Sequence, residues 1–127
     1  MSIFKILIVL LAVTLTLSSG VYGADADAAQ RATFDRLIHA IQANDRDAFL
    51  KDASDDMKKG ITPDVLSSVS HNMAPHLAKG FDSDYLTRLN QKGCTVDLWK
   101  LTFKDGSDDS AIRVVTQDGK LVGFFIE

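Results

Sequence analysis

The apolar residues of this chain change period once, at Gly80, and that change limits the folds open to it. Upstream, Phe34, Leu37, Ile38 and Ile41 recur at the i, i+3, i+4, i+7 spacing of one helical face. Asn44 and Asp45 break that helix, and a short second one is predicted over 47–53, with Ala48, Phe49 and Met57 turned inward. Gly60 closes the region. Thr62-Pro63-Asp64 then reads as a helix start: a hydroxyl N-cap, a proline at the first position and an acid in the first turn. Val65, Leu66, Val69 and Met73 form the stripe of this third helix, and Pro75 is predicted to end it, because the residue before a proline resists helical geometry.

Downstream of Gly80 the period is two, predicting strands over 85–90, 94–104, 111–116 and 120–126. Asp118-Gly119 between the last two is a strong hairpin signal, since both central residues of such a turn take positive φ. Helices followed by an antiparallel meander define an α+β chain. With Asp118-Gly119 as a two-residue turn and 105–109 as a five-residue loop, Trp99, Leu101, Phe103, Val115, Val122, Phe124 and Ile126 share the core face, with Arg113 in its middle. Ile112, Val114, Leu121 and Phe125 then form an apolar outer patch suited to a homodimer contact. Cys94, Val96 and Leu98 are out of phase with Trp99, Leu101 and Phe103, which predicts a β-bulge near Leu98 or Trp99 and a strongly bent strand.

The first 23 residues carry a different message. Lys5 precedes an apolar run from Ile6 to Val13 that thins through Thr14 and Thr16 into Ser18, Ser19 and Gly20, the layout of a secretory signal peptide. The run is too short to span a bilayer as a helix, and no cysteine lies near the exit to take a lipid anchor. Residues 24–127 then form one domain, destined for the periplasm or the exterior, with 13 basic against 17 acidic groups. The basic residues are scattered and form no stripe, which argues against a nucleic-acid partner. Cys94, the only cysteine, excludes an internal disulfide; the simplest expectation for it is burial in a strand, the alternatives being an intermolecular bridge or a nucleophile.

The helix order, the Thr62-Pro63 cap, the Gly80-Phe81 step into a meander, Leu98-Trp99-Lys100 with Phe103-Lys104-Asp105-Gly106, and the closing run from Asp118 to Phe124 resemble the nuclear transport factor 2-like superfamily, and within it small exported bacterial domains. The resemblance covers residues 30–127 and is one of order and pattern, without a diagnostic motif. It implies a curved half barrel, the cystatin-like cone, enclosing a pocket against the helices and often dimerising. Ketosteroid isomerase-like and dehydratase-like enzymes share that superfamily with noncatalytic binding domains, so fold alone assigns no chemistry.

Candidate chemistry is sparse. Asp97, between Val96 and Leu98, is the best acid: buried in a pocket it could abstract a proton, and on the outer face it would be ordinary. Tyr85 could donate to an oxyanion or sit at a rim in water. Arg113, amid Trp99, Leu101, Phe103 and Phe124, would need acceptors, from a carboxylate or phosphate ligand or from an aspartate of the chain. Trp99 lines the same expected face as core or ligand contact. His39 and His71 fall away from the apolar helix faces, His76 is expected in a turn after Pro75, all three lack metal-ligand spacing, and 105–109 lacks the ligand pattern of a calcium loop; no metal and no cofactor are expected. These readings favour an exported, noncatalytic domain that binds a small molecule or a protein partner. The alternatives are a small isomerase- or dehydratase-like enzyme using Asp97 and a structural or inhibitory interaction module. N-terminal sequencing of the exported protein should find its first residue at Ala24 or within a few residues of it; an intact Met1 in a membrane pellet would contradict this.

Overall fold

The computed structural model describes residues 25–127, and the expected leader at 1–23 lies outside the described residues. Helices α1 (Ala28–Ala43), α2 (Arg46–Phe49), α3 (Asp55–Gly60) and α4 (Pro63–Ala78) precede strands β1 (Phe81–Gln91), β2 (Cys94–Phe103), β3 (Ser110–Gln117) and β4 (Lys120–Ile126). The strands form one antiparallel meander in the order β1-β2-β3-β4, which is not strongly curled. The α+β class is therefore as expected, on a flatter sheet than a cone. No helix of the described residues is long and apolar enough to cross a membrane.

Side-chain oxygens cap the N-terminus of each helix among the described residues. Asp27 opens α1 with a capping box: its carboxylate accepts from the Gln30 backbone N–H, and the Gln30 side chain accepts from the Asp27 N–H, both at 2.8 Å. Ser54 caps α3, a helix that the sequence reading had merged into its neighbour. Arg46 closes the far end of α3 by donating to the carbonyls of Ile61 and Lys58 at 2.6 and 2.7 Å. Thr62 caps α4 and Pro63 occupies its first turn, as predicted. Pro75, however, lies inside α4, which runs on to Ala78. Met73 and Leu77 on either side of it are buried, and that packing outweighs the hydrogen bond that a proline removes.

The core is the layer between α1, α4 and one face of the sheet. Phe34, Leu37, Ile38 and Ile41 of α1 are buried against Trp99, Leu101 and Phe103 of β2, Ile112 and Val114 of β3 and Leu121 of β4. Trp99 lies at the centre. It stacks on Phe34 with ring centroids 4.1 Å apart and planes 13° from parallel, takes the Tyr85 edge at 5.0 Å, and has the Arg31 guanidinium 4.6 Å from its ring.

Two irregularities set the register. Asp118-Gly119 is the expected turn, with φ of 52° and 79°, and Lys92-Gly93 forms a second of the same kind. Beyond the Asp118-Gly119 turn, β4 carries one residue more than β3 between the Thr116–Leu121 and Val115–Gly123 pairs. In addition, Leu101 pairs with Ser110 rather than with Arg113. These two shifts cancel for β2 and for Phe124 and Ile126 of β4, which face the core as expected, and invert β3; Val122 is the extra residue, and Leu121 before it turns inward instead of outward. Ile112, Val114 and Leu121 are buried beneath the helices, so the expected dimer patch does not exist as such; of its four residues only Phe125 faces outward. Arg113 and Val115 lie on the outer face, which they share with Leu89, Val96, Leu98 and Phe125. There the Phe125 ring folds over Gly123, where a Cβ would come within 3.0 Å of it, and the Arg113 guanidinium stands 4.8 Å from the same ring.

The bulge and strong bend expected in β2 are absent; the irregularity lies in β1, where Leu86 is the extra residue opposite Leu98 and Trp99. Strand β2 itself alternates evenly, with Asp97, Trp99, Leu101 and Phe103 inward. Trp99→Ala should cost about 3–5 kcal/mol, read from the denaturant midpoint at constant slope. A loss below about 1 kcal/mol would mean that Trp99 does not organise the core.

Candidate functional site

The bulge at Leu86 decides what faces the helices from β1. In an even strand Tyr85 and Arg88, three residues apart, would point to opposite faces. The extra residue brings both inward, Tyr85 opposite Trp99 and Arg88 opposite Asp97. Asp97 is buried on this inner face, where a pocket acid would have to be.

Four hydrogen bonds converge on its carboxylate. Oδ1 accepts from Tyr85 Oη at 2.9 Å, Arg88 Nε at 2.9 Å and Gln30 Nε2 at 3.1 Å, while Oδ2 accepts from Arg88 Nη2 at 3.2 Å. Gln30 also donates to Tyr85 Oη at 3.1 Å. The capping box explains the orientation of that amide: Oε1 is committed to the Asp27 N–H, so Nε2 is the end that reaches the sheet. Burial and the neighbouring Asp97 carboxylate push the Tyr85 phenol above its ordinary pKa, so it stays a neutral donor. Hydrogen bonding to Asp97 likewise raises Arg88 and fixes its charge.

Beside this cluster a cavity of about 200 Å³ opens between α1 and the sheet, lined by Ala29, Gln30, Thr33 and Phe34 on the helix side and by Arg88, Asp97, Trp99, Val114, Thr116 and Gly119 on the other. A larger groove of about 370 Å³ runs between α4 and β4, among Ile61, Val65, Val69, Phe124 and Ile126. Its lining is apolar apart from Glu127, whereas the smaller cavity has polar groups converging on it, and converging polar groups are what fix a ligand's orientation. The smaller cavity is the candidate site.

Asp97, Tyr85 and Trp99, singled out from the sequence, are thus brought together. Arg113 is not among them: on the outer face it donates to Glu127 at 3.0 Å, and Arg88 is the guanidinium at the cavity. Arg88 and Gln30 were missed. The Gln30 role was readable in part from Asp27-Ala28-Ala29-Gln30, a capping-box spacing; the Arg88 role hangs on a bulge that no residue pattern announces. Cys94 is a half-buried free thiol. Among the described residues no cluster of three or more His, Cys, Asp or Glu side chains is placed to hold a metal. Comparison of the chain with protein-family models, with curated proteins and with solved structures gave no match.

A second polar group, His76, Asp105 and Ser107, has the composition of a catalytic triad and the wrong geometry. Asp105 Oδ2 and Ser107 Oγ both address His76 Nδ1, at 2.7 and 3.0 Å, so the ring does not stand between acid and hydroxyl. The cluster ties the last turn of α4 to the β2–β3 loop. The His76 side chain and the Ser107 N–H hold the Asp105 carboxyl far below the usual carboxylate range. A carboxylate depressed in the folded state contributes stability that is complete above its unfolded pKa, near 3.8, and is lost as pH falls below it. Thermal melts should therefore show a shallower acid-side decline in Asp105→Asn than in the wild type; parallel declines would show that this tie carries no pH dependence.

Proposed function

We propose that the chain is an exported, noncatalytic binding domain of the nuclear transport factor 2-like type, which holds a small ligand in the cavity between α1 and the inner face of the sheet. The observation that carries this reading is the convergence of Arg88, Asp97 and Gln30 on an open cavity with an aromatic floor. The order of helices and strands is in keeping with the resemblance, and the modest curl of the sheet with a small cavity. The noncatalytic reading draws on the occupation of Asp97: Oδ1 already accepts three hydrogen bonds, and its Tyr85 neighbour is spent on the same oxygen. The Arg88 guanidinium is bonded to both oxygens of the carboxylate, which commits Asp97 to an internal pair.

A mixture of small neutral and charged fragments, screened by amide and indole chemical shifts, should perturb Gln30, Thr33, Trp99 and Thr116 together. Ala29→Phe, which places a ring at the exposed mouth of the cavity and leaves the core alone, should abolish those shifts. Perturbations confined to the outer sheet face, or none, would remove the reading.

A second reading, self-association through the outer face, is favoured by the exposure of Leu89 and Phe125 beside Leu98 and Val115. Sedimentation as a monomer at high concentration would remove that reading and leave the first intact.

A further inference from the structure

The polar end of the cavity presents a donor and an acceptor side by side, and this restricts what can bind there; the inference rests on the reading of that cavity as a ligand seat. Arg88 spends Nε and one Nη2 proton on Asp97. A guanidinium has five N–H donors, so among the described residues the Nη1 protons and the second Nη2 proton remain. Asp97 Oδ1 is filled by three donors, whereas Oδ2 accepts, among the described residues, from Arg88 alone and keeps a lone pair. Both side chains line the cavity.

The two charges compensate each other, which disfavours a third. A ligand carboxylate would gain from Arg88 and lose against Asp97; a ligand ammonium would meet the reverse. A hydroxyl both donates and accepts, so one group can serve Oδ2 and a free guanidinium proton together. Thr33 and Thr116 add two more side chains of the same dual character to the wall, and Phe34 and Trp99 supply a flat apolar surface. The volume, about 200 Å³, lies below the roughly 300–1,000 Å³ of sites for drug-sized ligands, which leaves room for a single substituted ring. We infer that the cavity selects a small uncharged ligand bearing hydroxyl groups on a hydrocarbon ring or short chain, and discriminates against carboxylates and amines of the same shape.

Three probes of one shape test this: trans-cyclohexane-1,2-diol, cyclohexanecarboxylate and cyclohexylamine, the last cationic at neutral pH. Each is titrated into isotope-labelled protein while the Trp99 indole and the Thr116 amide are followed. The diol should bind about tenfold more tightly than either charged analogue, the order of discrimination expected when a ligand charge is desolvated with no free counter-charge to receive it. Equal or tighter binding of the carboxylate or the ammonium at the same resonances would overturn the inference and leave the ligand seat standing. Perturbation by none of the three up to their solubility limits would overturn both.

Discussion

A carboxylate buried beneath helices has to be surrounded by donors, and the arrangement around Asp97 shows how much of the molecule is committed to that requirement. Its partners come from two elements, Gln30 from α1 and Tyr85 and Arg88 from β1, so that with Asp97 on β2 the network joins three. Each needs a local device to arrive. Gln30 is aimed by the capping box at the start of α1, and Arg88 by the extra residue at Leu86. Next to them the Phe34–Trp99 stack brings α1 onto the sheet at a fixed height. Apolar contact supplies most of the attraction between these layers. The hydrogen bonds supply direction, because an α1 displaced along the sheet would withdraw Gln30 from Asp97 and Tyr85 and leave those buried groups short of a donor.

The elements themselves were legible because their signals are local. The apolar stripe of α1, the Thr62-Pro63 start of α4 and the Asp118-Gly119 turn each depend on a few adjacent residues, and each appears where those residues put it. Pro75 was misleading for the opposite reason: its effect is local, but the burial of Leu77 that overrides it comes from the packed core. Register is the least local property of all. An error of one residue inverts a strand, and here a long loop after Phe103 and an extra residue at Val122 inverted β3 and Leu121, while β2 and the rest of β4 kept their faces. The placement of Arg113 in the core, and of Ile112 and Val114 outside it, followed from that one inversion.

The candidate site was half visible for the same reason. Asp97, Tyr85 and Trp99 stand out as an acid and two aromatics in alternating strands, and their meeting needs only that β1 and β2 pair. The identity of the guanidinium needs the register. Arg88 in an even strand would point away from Asp97, and only Arg113, flanked in the sequence by apolar residues, stands out as a guanidinium on the core face. The structure exchanges the two: Arg88 neutralises the buried acid, and Arg113 lies over Phe125 with its tip at Glu127.

The extra residue in β1 has an effect on the outside of the molecule as well. Strand β1 is eleven residues long and stands at the edge of the sheet, with one row of its backbone groups unpaired by any other strand of the described residues. An edge of that length, if flat and regular, is a template on which another chain can lay a strand of its own, the first step toward amyloid-like stacking. At Leu86 the ladder loses its even spacing and the strand twists, so an incoming strand in register with one half falls out of register with the other. The residue that turns Arg88 toward Asp97 thus also guards the edge against aggregation, and a deletion that straightened β1 would expose the protein to it while unpairing the buried acid.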